Sequence, residues 1–421
     1  MIPQRYLLIT GTFLLSLQLY VTRTCISTAK DAVTADLSLS NEQWSWILAS
    51  FAFGYALFAA PGGAMADRLG GRRVLTTVVI AWSVFTALSA AAWNFVSLLV
   101  IRFLFGVSEA GAFPGMARVV YSWIPVKERG LVKGINFSGS RIGAALAMPG
   151  VAWLITELGW HKAFLILMAV GLAWALFWWF WFRDEPEKKV SISKKELDFI
   201  LANRQDAGNA SSPAEPLRVG TIFASGNLWL MMLQYFASNF TFFFSLTWLY
   251  PYVKAKYNLG AMDAGWYAMV PLLGGAVGNI FAGGLVDWIY RHGRASLSRK
   301  LPAIIGFALA AVGMVMSLEQ ATAAGAIFWL TLAIFGADMT LSPSWSFCID
   351  IGGKHAGAVS GTMNMAGNLG SAIAALAFAY MPESNRGNVA FFYTAAALSV
   401  GGIVCWLISD PARKIQPQPL N

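Results

Sequence analysis

Twelve apolar runs decide what this chain can fold into. Each is close to the ~20 residues a helix needs to cross a hydrocarbon layer about 30 Å thick. They cover 6–29, 43–66, 74–93, 95–122, 131–156 and 163–182, then 226–252, 264–289, 301–318, 324–348, 357–381 and 389–408. Lipid offers no partner to a backbone N–H or C=O, so a run that crosses it must bond its own main chain as a helix. Apolar residues make up 57% of the sequence and charged residues 12%, against about 25% charged in a soluble domain. The expected fold is an all-α membrane protein of 12 transmembrane helices. A disordered chain, a nucleic-acid-binding protein and a cytosolic enzyme are excluded. The first run follows Arg5, but it exceeds a signal-peptide core and lacks a clean small-residue cleavage site, so it reads as a span.

The net charge of +9 reads as topology rather than as a basic ligand site. With the N-terminus in the cytoplasm, the loops on that side hold 21 Lys and Arg, and the opposite loops hold 5. Such asymmetry fixes orientation and puts both termini in the cytoplasm. The one long polar stretch, 183–225, carries Glu185-Pro186, a basic run and Asn209–Pro213, with a short amphipathic helix expected near Lys194–Asn203. It separates an N-terminal six-helix bundle (1–182) from a C-terminal one (226–412), followed by a tail (413–421). The halves share a repeat: Gly63-Ala64-Met65-Ala66-Asp67 ends the second run, and Gly283-Gly284-Leu285-Val286-Asp287 ends the eighth, 220 residues later. Two pseudo-symmetric bundles around a midplane site are a transporter architecture. The three cysteines (Cys25, Cys348, Cys405) are odd in number and set in or beside apolar stretches, and the three histidines are scattered. No disulfide framework, metal site or cofactor is expected.

Charges within the runs mark a polar cavity, because a charge at the bilayer centre costs ~2.5–3.5 kcal/mol or more. Arg102 and Glu109 lie in the fourth run, two turns apart on one face. Arg141 is deep in the fifth, Asp338 deep in the tenth, and Arg23 in the outer part of the first. Arg118 and Asp350 fall near the cytoplasmic edge. Three deep guanidiniums against two deep carboxyls suit an anion, and Glu109 and Asp338 are placed to carry a proton. The alternative is that Arg102–Glu109 or Arg141–Asp338 are structural ion pairs. Pro149, Pro271 and Pro343 sit within runs as expected kinks.

The segment Gly63-x-x-x-Asp67-Arg68-x-Gly70-Gly71-Arg72-Arg73 resembles the loop motif of the major facilitator superfamily. Arg102-x-x-x-Gly106 resembles its fourth-helix motif. The run Gly106–Pro114, continued through Trp123-Ile124-Pro125-x-x-Glu128-Arg129-Gly130, is similar to the anion:cation symporter family, which includes hexuronate and galactonate permeases and the sialic acid and vesicular glutamate carriers. The resemblance implies that the loop motif latches a cytoplasmic gate, with Gly63, Asp67, Arg68, Gly70, Arg72 and Arg73 as its residues. It implies that Glu109 couples proton and substrate. It also implies a substrate pocket of Tyr20, Arg23, Tyr55, Ser344, Trp345 and Asn364, to which the deep charges add Arg102 and Arg141. Asp338, Ser342 and Trp345 fall on one helical stripe. The family's helix-one Tyr-x-Asp-Arg is here Tyr20-Val21-Thr22-Arg23. Thr22 does not titrate, so Asp338 is expected to take over that aspartate's role.

The function expected is secondary active transport, with proton-coupled uptake of a small organic anion, such as a hexuronate, aldonate or related carboxylate, by alternating access. Na⁺ stays open as the coupling ion. An organic-anion exchanger or a drug or metabolite exporter is the alternative. A membrane-embedded enzyme is remote, as no HExxH, GxSxG or GxxxxGK[ST] occurs. The partners expected are the anion, H⁺ and the bilayer, with no nucleic acid. The chain is expected to be a monomer in the plasma membrane, on this reading a bacterial inner membrane.

Overall fold

The computed structural model describes residues 3–205, 219–380 and 385–415. Arg218, the Asn209–Pro213 stretch and the tail after Ile415 lie outside the described residues. Within them there is no strand, and the α-helices run α1 (Gln4–Thr28), α2 (Lys30–Asp36), α3 (Asn41–Leu69), α4 (Gly71–Ala90), α5 (Phe95–Glu109), α6 (Ala112–Trp123), α7 (Arg129–Leu158), α8 (Trp160–Trp181) and α9 (Lys194–Asn203). They continue as α10 (Val219–Phe223), α11 (Gly226–Thr247), α12 (Leu249–Lys256), α13 (Ala261–Arg291), α14 (Ala295–Leu318), α15 (Ala323–Met339), α16 (Leu341–Gly352), α17 (Ala356–Tyr380) and α18 (Asn385–Ile408). The all-α membrane class is borne out. Among the described residues nine stretches are long and apolar enough to cross a membrane, one of them spanning α15 to α17. Helices α1 and α11, of 25 and 22 residues, stand outside that set, so twelve remains the count read from the sequence.

Two runs that read as single spans are broken at matching places. The run 95–122 splits between Glu109 and Ala112, and the run 324–348 splits at Thr340. Proline explains both. Pro114 and Pro343 lack the N–H that would bond the carbonyls of Ala110 and Met339, and each ring clashes with that carbonyl. Pro61, Pro149, Pro271 and Pro302 lie inside helices that stay continuous; neighbouring groups in a helical membrane protein re-satisfy the freed carbonyls.

The chain forms two compact units. The first gathers Met1–Val126, Ile142–Arg218 and Gly352–Met365, and the second gathers Lys127–Arg141, Val219–Ile351 and Ala366–Asn421. The start of α7 thus packs with the second unit and the start of α17 with the first. In the first unit Cys25, Ile26, Val33, Trp44, Ile47, Leu98, Trp160 and Phe164 form an apolar core. Helices α3 and α5 approach so closely that a Cβ at Gly54 or Gly106 would enter the facing backbone, at Phe103 and Phe51 respectively; small residues serve this purpose in membrane helices. In the second unit Phe240, Phe244, Tyr252, Leu330, Phe391 and Phe392 build the corresponding core.

Helix N-termini leave orphan N–H groups, and here carboxylates remote in sequence satisfy four sets of them. Glu196 of α9 accepts from Gln4 N and Arg5 N at 2.9 Å each, closing α1. Asp184 accepts from Arg72 N at 2.9 Å and stands at the start of α4, where Gly70 has φ +82°. Asp67 closes α17 through Gly357 N (2.8 Å) and Ala358 N (2.7 Å). Asp287 closes α7 through Gly130 N (2.8 Å) and Leu131 N (2.9 Å). The 220-residue sequence repeat is therefore a repeat of one bond type, carboxylate onto helix start. Burial pushes the Asp184 carboxyl above its ordinary value, and the backbone N–H groups of Arg72 and Gly71 pull the other way. Asp184→Ala is expected to destabilise the protein by about 1 kcal/mol, the usual worth of an N-cap, read as a lowered midpoint of thermal unfolding in detergent. An unchanged midpoint would show that the start of α4 is held without it.

Candidate substrate and proton site

In the first unit the expected residues converge. Arg23, on α1, donates to Glu109 Oε2 through Nε at 3.0 Å and through Nη2 at 2.8 Å. Glu109 is the last residue of α5 and its side chain is fully buried, while Arg23 keeps 16% exposure. The other carboxylate oxygen, Oε1, is buried with no hydrogen-bond partner among the described residues. The Arg23 guanidinium lies over three rings: Tyr20 and Tyr55 at 4.8 Å each and Phe51 at 5.1 Å. Cation–π contact of this kind gains strength when desolvated. Tyr55 Oη accepts from Asn364 Nδ2 at 3.1 Å, which brings α17 to the same cluster.

Arg102 also lies against Phe51. Its guanidinium is 4.4 Å from the Phe105 ring and 5.3 Å from Phe51. It is 2% exposed, and its Nε has no partner among the described residues. The expected alternative of an Arg102–Glu109 pair is corrected: Glu109 bonds Arg23, reached from α1, while the Arg102 guanidinium lies against Phe105 and Phe51. Tyr20, Arg23, Tyr55, Arg102, Glu109 and Asn364 are thus brought together within the first unit.

The second unit holds the others. Arg141 bonds Asp338 with both arms of its fork, Nε to Oδ2 at 2.8 Å and Nη2 to Oδ1 at 2.6 Å, and its guanidinium lies 3.4 Å from the centre of the Phe242 ring. Both partners are buried, at 3% and 1% side-chain exposure. Gly275 makes room for the carboxylate, since a Cβ there would collide with Asp338 Oδ2. Ser344 turns to Gln234, which donates to it through Nε2 at 3.0 Å, and itself donates to Thr340 O at 2.5 Å. Trp345 donates to Tyr235 Oη at 2.9 Å and packs on Phe137. The stripe Asp338, Ser342, Trp345 faces α7 throughout, with Ser342 donating to Gly130 O at 2.6 Å.

The loop motif divides by residue. Asp67 is buried on the α17 start, and Gly63 lies so close to Gly357 that neither admits a Cβ. Arg72 donates through Nε to Trp179 O at 2.8 Å and stacks over that indole at 4.3 Å. Arg68 and Arg73 are exposed.

Several residues counted as loop charges are interior. Arg129 and Arg299 are 0% and 1% exposed and share Asp350, through Nη1 to Oδ1 at 2.7 Å and Nε to Oδ2 at 2.8 Å. Arg118, placed at an interface by its sequence position, is 6% exposed and donates through Nη1 to Lys354 O at 3.4 Å. Lys133 is 1% exposed. Sequence reasoning missed these, although Arg129, Lys133, Phe137 and Arg141 are spaced by four and so share one face of α7.

Removing one member of a buried pair leaves a bare charge, worth ~3–5 kcal/mol, whereas replacing both with apolar groups is near neutral. Asp338→Ala is therefore expected to lower thermal stability sharply, and the double variant Arg141→Met with Asp338→Leu to restore most of it. A double variant no more stable than Asp338→Ala would sink the ion-pair account.

A family model described as Major Facilitator Superfamily matches residues 12–375. The chain is 31% identical over 410 residues to the probable sulfoacetate transporter SauU of Cupriavidus necator, covering 97% of this chain and 94% of the relative. It is 29% identical to the probable galactarate/D-glucarate transporter GarP of Escherichia coli over 421 aligned positions, 96% of this chain and 94% of the relative. Among solved structures, the proton:xylose symporter XylE bound to 6-bromo-6-deoxy-D-glucose shares the fold at TM-score 0.74 with 16% identity, covering 96% of this chain and 95% of that one.

Proposed function

The chain belongs to the major facilitator superfamily, and from that premise we propose that it is a secondary active transporter coupling uptake of a small organic acid to proton entry. As a multi-pass membrane transporter it is not an enzyme. The observation that carries the reading is the Arg23–Glu109 pair, with one carboxylate oxygen bonded and the other buried and open. Paired, the two groups are neutral. A substrate carboxylate that takes the Arg23 fork releases Glu109, and a buried bare carboxylate is costly. A proton on Glu109 removes that cost, so anion and proton enter as a neutral pair. Arg102, which makes no ion pair among the described residues, supplies lasting attraction for an anion. The tyrosines and Asn364 offer donors and acceptors to substrate hydroxyls, a means of rejecting analogues that lack them.

The relatives support the substrate class. Sulfoacetate and galactarate, named for two of them, are small acids, and each carries two anionic groups. Asp338 is the second proton carrier in this reading, in place of the aspartate absent at Thr22. Both of its oxygens are held by Arg141, so its turn comes only when that fork opens. Asp67 on the start of α17 and Asp287 on the start of α7 serve as paired cytoplasmic gate bonds, broken and remade during alternating access. The protein works as a monomer in a bacterial inner membrane, with both termini in the cytoplasm.

Uptake into proteoliposomes, screened over sugar acids, dicarboxylates and sulfo-acids, tests the proposal. Accumulation driven by an inward proton gradient and abolished by a protonophore is expected; gradient-independent equilibration would reject coupling. Glu109→Gln is expected to exchange substrate across the membrane but no longer to accumulate it. If it accumulates substrate like the wild type, Glu109 is not the carrier. For Asp338→Asn the expectation is a flattened dependence of transport on pH. An unchanged profile with unchanged accumulation would remove Asp338 from the proton path.

A further inference from the structure

A cavity of about 630 Å³ lies in the second unit, between α10, the start of α11 and the residues that follow α18. The transport reading makes no use of it. Its polar wall includes Thr221, Asn227, Asp410, Arg413 and Lys414, and its apolar wall includes Trp229 and Ile408. The basic pair is exposed, but the backbone that carries it is held. Asn227 donates through Nδ2 to Asp410 O at 2.7 Å and to Arg413 O at 3.3 Å, and its Oδ1 accepts from Asp410 N at 2.9 Å. Arg413 N donates to Asp410 O at 3.2 Å, and Ile415 N donates to Ile351 O at 2.8 Å, so the segment is tied on both sides of Lys414. One side-chain amide thus sets two cations beside a hollow.

We propose that this cavity binds the phosphate of an anionic membrane phospholipid, such as phosphatidylglycerol, with Arg413 and Lys414 as its cationic partners. Charge is the first argument. A guanidinium forks onto phosphate oxygens, and an ammonium meets them as a point charge. The two cations face one carboxylate, Asp410, and that carboxylate already accepts from Ala412 N at 3.0 Å. The surplus is positive, which favours an anionic headgroup over a zwitterionic one. Position is the second argument. From the cavity the exposed apolar face of α11 continues through Trp229 and Leu233, and that of α18 runs back through Ile408, Leu407 and Val404. Apolar faces of this kind meet acyl chains, and tryptophan settles at headgroup depth. The Trp229 indole N–H donates to Phe223 O at 2.9 Å, which fixes the ring at the rim. A phospholipid whose phosphate enters the cavity lays its chains along those two faces. Free phosphate would satisfy the cations and leave the apolar rim unused, whereas a lipid engages both. Basic pockets between transmembrane helices take acidic headgroups in this way. In the topology proposed above, the cavity belongs to the cytoplasmic leaflet.

The test uses the full chain in detergent, with phosphatidylglycerol, phosphatidylethanolamine and inorganic phosphate added separately. Bound lipid is counted by native mass spectrometry, and the midpoint of thermal unfolding is followed alongside. The wild type is expected to hold phosphatidylglycerol in preference to phosphatidylethanolamine and to be stabilised by it, with no response to inorganic phosphate. The double variant Arg413→Gln with Lys414→Gln is expected to bind phosphatidylglycerol about tenfold or more weakly, the order set by two cations at an anionic surface. Asn227→Ala keeps both cations and frees the segment that carries them, and is expected to weaken binding about threefold or more, the scale of a lost hydrogen bond. Lys194→Gln with Lys195→Gln removes two exposed cations from α9 and is expected to bind as the wild type does. The inference is overturned by a wild type that holds both lipids alike, by a double variant or an Asn227→Ala variant that binds like the wild type, or by an α9 control that loses as much. A midpoint raised equally by inorganic phosphate assigns the cavity to a free anion and overturns the lipid reading. If the double variant does not fold, Arg413→Gln alone is read by the same criterion. Binding is measured without transport, so its failure leaves the transport reading untouched.

Discussion

A helix start leaves N–H groups that need an acceptor, and where other elements cover it a side chain must supply one. That constraint organises this protein. Four carboxylates, Asp67, Asp184, Glu196 and Asp287, each sit on the first N–H groups of a helix far away in sequence. A carboxylate is suited to the task, because it accepts two bonds at once and complements the positive end of the helix dipole. Each such bond also fixes where one helix begins against another element, so satisfying the backbone and setting the packing are a single event. The tight glycine crossings beside Asp67 and Asp287, Gly63 on Gly357 and Gly283 on Gly130, follow from the same need, since the carboxylate must reach the helix start without a side chain between them.

A second pattern joins it: Glu109, Asp338 and Asp350 are each held by arginine. Arg23 holds Glu109, Arg141 holds Asp338, and Arg129 with Arg299 holds Asp350. The claims differ in completeness. Asp338 is bonded at both oxygens, whereas Glu109 keeps one oxygen open. The first arrangement resembles a strut and the second a site. Arg102 and Lys133 are buried and make no ion pair among the described residues.

Much of this was legible in the residues. Apolar run length showed the helical class, and the 220-residue repeat pointed to Asp67 and Asp287 before any bond was visible. Arg23, Arg102, Glu109, Arg141 and Asp338 stood out because a charge in an apolar run is costly unless it is paired or faces a polar cavity. What stayed hidden was partner choice. The two-turn spacing of Arg102 and Glu109 suggested a pair, yet Arg23 from another helix takes the carboxylate, and no periodicity within one helix reports on a third element. Lys133 was hidden by its place at the edge of a run, where a lysine reads as a loop charge. The break at Pro114 was missed because membrane helices accept proline elsewhere in this same chain, at Pro61, Pro149, Pro271 and Pro302.

That break has a mechanical meaning. Glu109 ends α5, and three residues later α6 begins, every one of its residues buried. The negative end of the α5 dipole repels a carboxylate, so Arg23 is what keeps the charge there. Further along α6, Arg118 reaches Lys354, just ahead of the helix start that Asp67 closes. If Glu109 carries the proton as proposed, the chain has set that group directly against a joint, and beyond the joint α6 is a stiff lever whose far arm reaches the place where Asp67 closes α17.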